Sequence, residues 1–554
     1  MSPVAFPDRG IGDRVLTMFR REHPCSFPSS HPCLYGWVVL CAVMLLTACS
    51  GMQAGQRNTA RVDPLATDLR AILVMGLTDI HSVYIEDISP ETLSLAALRA
   101  LDGLAPDLSI DTGKELFRIA RADGAPPQEV RRPSGASPAS WGGALAEAIL
   151  AARRLSPKLA ALDGEALYTA LFGAMTDQLD RFSRYAGRDA TRANRAEREG
   201  YGGIGVTIRS HPEGALIEAV DADTPAAAAG LAVDDVIVAI DDTPMAGRGL
   251  ATVAERLRGP VEVSVTLTIR RQGIDPTQDV EVGRTRIVPN TVQFSMEGGL
   301  AVVCLTGFNR LTAKRMAEAL ARAQSIARPR LVGAVLDLRG NLGGVVDQAI
   351  EAADLLLDKG IILETYGRHP RSRQHFEAEP GDVTGGLPIV VLIDGASASS
   401  AEILASALQD NDRAVVVGAT SFGKGSVQTV LPLEPNDAEL ILTWAEFVAP
   451  SGYALNHVGV LPSLCTAGRT NAQAALRSAL ANDAQVLRRA FAIRRATDNR
   501  NPEARRRAQA LCPWQPAVGE GDVDMDAARA IIQSPAVYQA LRSATRPEVR
   551  AEMP

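Results

Sequence analysis

The spacing of apolar positions changes three times along the chain, and each change predicts a different kind of unit. Between residues 56 and 199, Leu65, Leu69, Ile72, Leu73 and Leu77 recur at the intervals of one helix face. This predicts a helical N-terminal region, interrupted by a Pro-, Gly-, Ala- and Ser-rich loop over 124–140 and closed by the polar run 188–200. From 200 to 288 the period shortens to that of strands, at Gly205–Ile208, Leu216–Val220, Val236–Ile240 and Val261–Ile269, with a short helix over Leu250–Leu257. From 289 to 464 the two patterns alternate. Strands are expected at Leu300–Leu305, Leu331–Leu338, Ile361–Glu364, Ile389–Ile393, Ala414–Val417 and Leu440–Val448, and helices at Thr312–Ala327, Val345–Leu357 and Ala401–Gln409. That alternation predicts an α/β core. The last stretch, 465–554, is helical, and its Arg488, Arg489, Arg494, Arg495, Arg505, Arg506 and Arg507 read as a solvated helix face, a partner surface being the alternative.

The N-terminus follows another rule. The uncharged run Leu34–Ala48 has 15 residues, short of the roughly 20 that cross a bilayer. With Arg14, Arg20 and Arg21 upstream it has the form of a signal-peptide apolar segment. The run ends Leu46-Thr47-Ala48-Cys49, which resembles the lipobox of bacterial lipoproteins. Residues 1–49 are therefore expected to be a signal peptide, with Cys49 lipidated. An ordinary signal with a chance cysteine is the alternative. The expected place is the periplasmic side of a bacterial cell envelope, held to a membrane by the N-terminal lipid.

Composition narrows the partners. The chain of 554 residues is 46% hydrophobic and 22% charged, which suits several folded units rather than a disordered chain. A net charge of -7 gives no reason to expect nucleic acid. Of seven cysteines, Cys25, Cys33, Cys41 and Cys49 fall in the leader, and Cys304 lies in an apolar strand. Cys465 and Cys512 remain; in an oxidising compartment a disulfide and two free thiols both fit. No His/Cys cluster has metal-ligand spacing, no phosphate loop is present, and no cofactor is expected.

Only Lys114, Lys158, Lys314, Lys359 and Lys424 are lysines among 57 basic residues, so a lysine in a chemically loaded setting stands out. Lys424 lies in Thr420-Ser-Phe-Gly-Lys-Gly-Ser-Val-Gln428, between two glycines. Two further segments have a strand–turn–helix form: Leu338-Arg-Gly-Asn-Leu-Gly-Gly344, whose N–H groups suit an anion, and Asp394-Gly-Ala-Ser-Ala-Ser-Ser-Ala-Glu402. A serine needs a base, and a lysine with a depressed pKa can act as one. Taken alone, such a serine elbow is more often a helix cap and Gly-Lys-Gly a plain turn.

Two resemblances follow from these residues. Tyr201-Gly-Gly-Ile-Gly-Val206, Thr224-Pro-Ala-Ala-Ala-Ala-Gly-Leu231 and Asp234–Ile240 resemble a PDZ domain. The resemblance implies that Tyr201, Gly202, Gly203, Ile204, Gly205 and Val206 meet a peptide C-terminus, a β-domain without ligand being the alternative. Residues 165–463 resemble the carboxyl-terminal processing (tail-specific) protease family. The match runs from Leu179-Asp-Arg-Phe-Ser183 to Ala449-Pro-Ser-Gly452 and Gly459-Val-Leu-Pro462, and includes Ser-Ala-Ser-x-x-Glu and Phe-Gly-Lys-Gly-x-x-Gln.

This resemblance implies a multidomain α/β + β protein with a ClpP/crotonase-like serine protease core. Together with the patterns above, the expected units are a leader (1–49), an N-terminal helical region (56–199), a PDZ domain (200–288), a peptidase core (289–464) and a C-terminal helical extension (465–554). The resemblance implies Ser399 as nucleophile, Lys424 as base, Gln428 orienting the lysine, and N–H groups of Gly343 or Gly344 with Ser400 as the oxyanion hole. Asp410 matches an acidic position, read as structural. Ser397 and Ser400 are the rival serines. The implied substrates are proteins or peptides with apolar C-termini, with room for an adaptor lipoprotein and a homo-oligomer. Two departures stand out: Leu342 where the family has Pro, and Ser400-Ala401 in the reverse of the usual order. Two other functions compete: an inactive PDZ scaffold on a protease fold, and a Ser-His-Asp hydrolase using His369, His375 or His457.

Overall fold

In the peptidase segment a six-stranded sheet runs in the order Val292–Glu297, Leu300–Leu305, Gly333–Asp337, Ile389–Ile393, Ala414–Gly418, Leu464–Cys465. The first pair is antiparallel and the rest are parallel. Central strands such as Ile389–Ile393 and Ala414–Gly418 are buried at every position, which is why they read as unbroken apolar runs. This computed structural model describes residues 64–273, 276–326, 330–481, 484–515 and 522–546. The leader, its apolar run and Cys49 lie outside the described residues. Among the described residues no helix is long and apolar enough to cross a membrane.

Alternate residues of the sheet face two different layers. Leu336, Val391, Ile393 and Val416 pack under helices Thr312–Ile326, Val346–Asp354 and Ser400–Asp410. Val335, Val390, Leu392, Val415 and Val417 pack instead under Leu476, Phe491, Ile531, Ile532 and Leu541 of the C-terminal helices. Residues beyond 464 therefore form the second covering layer of the core rather than an appendage to it. Their arginines are not uniformly solvated: Arg494 is 1% exposed.

A second, antiparallel sheet stands beside the first, in the order Gln374–Glu377, Ile361–Tyr366, Ala438–Val448, Ser426–Leu433. Strand Ile361–Tyr366, expected over Ile361–Glu364, belongs to this antiparallel sheet. The hairpin Ser426–Leu433/Ala438–Val448 follows Lys424 directly, and its first strand was not predicted. Its Leu433, Ala438, Leu440 and Leu442 join the core of the N-terminal region.

That N-terminal region is not wholly helical. Helices Pro64–Val83, Pro90–Leu104, Pro138–Leu155 and Gly164–Thr176 enclose a three-stranded antiparallel sheet, Leu108–Thr112, Leu116–Arg121 and Gln128–Arg131. The expected loop over 124–140 contains the third strand and the start of a helix. Phe117 and Ile119 point inward while Leu116 and Arg118 point out, a two-residue period masked by the long helices around it. The polar run after 188 is a helix, Arg188–Glu199, whose Arg195 and Arg198 pair with Glu439 of the hairpin.

The β-rich segment is an insertion. The chain leaves through Tyr201–Gly203 and returns through Thr285–Ile287, paired antiparallel with Gly203 opposite Thr285. Between them the sheet order is Gln278–Val282, Val265–Arg270, Val236–Ile240, Gly214–Val220, Val206–His211, with helix Leu250–Leu257. The last strand of that order is an edge. The strand expected from Val261 begins only at Val265.

Candidate active site

Asp394 fixes the serine elbow to the glycine turn. Its Oδ1 accepts from Ala396 N (2.9 Å), Ser397 N (3.0 Å) and, across the gap, Gly340 N (3.0 Å). Ser397 donates to Leu338 O at 2.8 Å, and Ser400 donates to Gly344 O at 3.1 Å. The hydroxyl proton of Ser399 is committed to no protein acceptor among the described residues. Ser399 also takes φ 57°, a region a non-glycine residue enters only when its surroundings force it. It sits at the start of helix Ser400–Asp410, beside N–H groups that the helix leaves unpaired. Two serines are structural, and the third is presented.

The glycine turn closes against this elbow. A Cβ on Gly343, at φ +96°, would lie 2.8 Å from Ser399 Cβ and 3.0 Å from Ser400 N. The N–H of Gly343 points elsewhere, donating to Asn341 Oδ1 at 2.8 Å, while Asn341 Nδ2 is held by Leu305 O at 2.7 Å. This corrects the expected oxyanion set: Gly343 supplies room, and the N–H groups of Gly344 and Ser400 are the ones left uncommitted among the described residues. Leu342, where proline was expected, is exposed.

One buried carboxylate joins the serine to the lysine. Glu402 Oε2 accepts from the backbone N–H of Ser399 (2.8 Å) and of Lys424 (2.9 Å). Its Oε1 accepts from Gly423 N (2.7 Å) and Ser421 Oγ (2.5 Å). Burial pushes the Glu402 carboxyl pKa up, and these four hydrogen bonds oppose that rise. The lysine loop is also packed on the turn 456–459. A Cβ on Gly425 would lie 2.0 Å from Asn456 N, and His457 N donates to Gly423 O at 2.9 Å.

The Lys424 ammonium lies 5.2 Å from the centre of the Phe182 ring. Burial holds its pKa below the ordinary lysine range, aided by the nearby Arg184 charge and opposed by Glu402 and Asp180. Asp180 shapes this wall by accepting from Phe182 N (2.7 Å) and Ser183 N (3.0 Å). Phe182 and Arg184 thus belong to the site, although sequence reasoning gave Leu179–Ser183 no chemical role. Gln428 donates to Ser426 Oγ (2.9 Å) and Thr443 Oγ1 (3.1 Å), leaving its Oε1 as the acceptor end. Among the described residues no hydrogen bond joins Lys424 Nζ to Ser399 or Gln428; such contacts commonly tighten only when substrate binds.

The other candidate residues take different places. His375 is held between Glu364 and Glu377 at 3.0 Å each. His369 caps a short turn. His457 contributes backbone to the lysine loop. Asp410, at the far end of the serine helix, accepts from Ser451, so it shapes rather than reacts. Among the described residues no group of three His, Cys, Asp or Glu could hold a metal. Cys465 and Cys512 form a disulfide with Cα atoms 5.8 Å apart, and Cys304 is free.

In the β-rich insertion, Ile204 is 2% exposed and part of the domain core rather than its groove. Tyr201, Gly202 and Gly203 are engaged in the neck strand pair, with Tyr201 lying under Arg258. Of the expected carboxylate loop, Gly205 is buried and its carbonyl accepts from Asp221 N, and the strand from Val206 is the free edge of this sheet.

A serine with an uncommitted hydroxyl at a helix start and a half-buried lysine in an α/β core with a β-rich insertion have the make-up of a serine-type peptidase. The sequence pattern of peptidase family S41 matches residues 299–465, and that of PDZ domains matches 216–271. A carboxy-terminal-processing protease of Bartonella bacilliformis is 39% identical over 54% of this chain and 70% of its own. A carboxyl-terminal-processing protease of Picosynechococcus is 34% identical over 47% of this chain and 63% of its own. The chain therefore belongs to the carboxyl-terminal processing proteases of peptidase family S41 and carries a PDZ domain. Among solved structures, a photosystem II D1 C-terminal processing protease is similar at 21% identity, over 71% of this chain and 92% of that one, with a TM-score of 0.35.

Proposed function

We propose that the protein is an endopeptidase in which Ser399 attacks the scissile carbonyl while neutral Lys424 takes its proton. The N–H groups of Gly344 and Ser400 receive the oxyanion, and Lys424 returns the proton to the leaving amine. Water then hydrolyses the acyl-enzyme, with the lysine again as base. Gln428 Oε1 orients the ammonium form. The observation that carries this reading is Glu402, whose single carboxylate binds the backbone N–H of both residues and so holds nucleophile and base in one register.

Substrates in this proposal are exported proteins with apolar C-termini, captured as an added strand on the PDZ edge Val206–His211. The disulfide Cys465–Cys512 supports an oxidising compartment, in keeping with an envelope protein anchored through Cys49. An adaptor lipoprotein and self-association are compatible with that location. The test incubates wild type, Ser399→Ala and Lys424→Ala with an unfolded protein ending in apolar residues. Only wild type should cleave it, and Ser399→Ala should retain the substrate. Cleavage by either variant would overturn the dyad; binding without cleavage by wild type would favour a scaffold.

A further inference from the structure

The segment 509–515 crosses from the C-terminal helices to the roots of both catalytic loops. At one end Gln509 Nε2 donates to His457 O at 3.0 Å, on the turn that supports Gly423. In its middle Cys512 O accepts from Thr420 Oγ1 at 2.6 Å, at the first residue of the lysine loop. At its far end Trp514 Nε1 donates to Gly395 O at 2.6 Å, and Gly395 N donates to Gln515 O at 2.8 Å, at the root of the serine elbow. A Cβ on Gly395 would lie 2.3 Å from Trp514 Nε1, so the indole rests directly on that backbone. The disulfide fastens Cys512 to Cys465, whose strand pairs with Gly418 just before the lysine loop.

Packing alone does not account for Trp514. It is 55% exposed, so more than half of its surface stays in water, yet its indole N–H is spent on the elbow. We propose that residues 509–515 are a positioning strap, locked by Cys465–Cys512, that holds the Ser399 elbow and the Lys424 loop in mutual register. The proposal rests on the Ser399–Lys424 reading above. In this proposal the strap acts by holding the two loops, so loosening it acts on turnover rather than on binding. Because Glu402 joins both loops, slack in either one reaches Lys424, lets water in and returns its pKa toward the ordinary range.

The experiment compares Trp514→Phe, which keeps a ring but loses the donor, and the double variant Cys465→Ser/Cys512→Ser with wild type. Peptide cleavage is followed as kcat, KM and the midpoint of the pH–rate profile, with Ser399→Ala and Lys424→Ala as references. Both strap variants should lose roughly tenfold or more in kcat, as expected for a small misplacement of catalytic groups, at unchanged KM and with the midpoint moved to higher pH. Wild-type kcat, or a fall in thermal stability or kcat with the midpoint unmoved, would overturn the strap. If the double variant does not fold, Trp514→Phe decides by the same readings. Activity in Ser399→Ala or Lys424→Ala would instead sink the dyad, a failure separate from that of the strap.

Discussion

At Lys424 the ammonium meets a buried setting and the like charge of Arg184, against which Glu402 and Asp180 pull in the other direction. The net shift is downward, so the neutral amine forms at lower pH than the ~10.4 of a free lysine. The base is the deprotonated form, so kcat/KM should rise with pH along one ionisation, with its midpoint below that value. Arg184→Ala removes one of the two forces favouring the neutral form and should move the midpoint up; an unmoved midpoint would mean that Arg184 is not felt. Lys424→Arg should be inactive throughout, because guanidinium keeps its proton. Glu402→Gln tests the link between the loops. An amide presents one acceptor oxygen where four donors converge, so stability should fall by about 1–3 kcal/mol in denaturant titrations and kcat by more than roughly tenfold. In the sequence Glu402 served only as a marker of register. Its role was hidden because its donors come from two loops some twenty residues apart in sequence, which only the fold brings together.

Secondary elements were legible where burial was simple. The parallel strands are apolar throughout because both faces are covered, and the serine helix announces itself by a turn of small residues. The strand Ser426–Leu433 was missed because it is mostly half-buried and carries Pro432, so neither a continuous run nor clean alternation marks it. Arg188–Glu199 looked like solvated chain because its cohesion lies in pairs to Asp437 and Glu439, some 240 residues away. The glycine turn gives the sharpest test at this scale. Gly343→Ala would need a Cβ within contact of Ser399 at a φ that side chains rarely adopt. It should cut kcat at least roughly tenfold by displacing the elbow, while PDZ peptide binding stays unchanged. Loss of peptide binding in equal measure would mean a general folding defect.

The units of the whole chain differ in how separable they are, and the two ends of the PDZ insertion show why. Its neck pairs Gly203 with Thr285, so the chain departs and returns at one place, and its core of Ile204, Ile217, Ile237, Leu267 and Val282 is its own. The N-terminal helices share a core with Leu433, Ala438, Leu440 and Leu442 of the hairpin that follows Lys424. The C-terminal helices cover one face of the catalytic sheet. Composition suggested several units but could not show which of them share a core, since that depends on which apolar faces meet. Replacing residues 204–284 with a short Gly/Ser linker should therefore leave a folded enzyme that cleaves a small peptide within about threefold of wild type, given that insertions with adjacent ends are tolerated. Its turnover of an unfolded protein with an apolar C-terminus should fall much further. Removing residues 64–199 should instead expose the hairpin's apolar face and give aggregated, inactive protein. Comparing soluble yield and the two turnover rates across both deletions decides the matter. If excising the PDZ domain unfolds the core, the insertion is structural; if it depresses both substrates equally, the domain does not select tails.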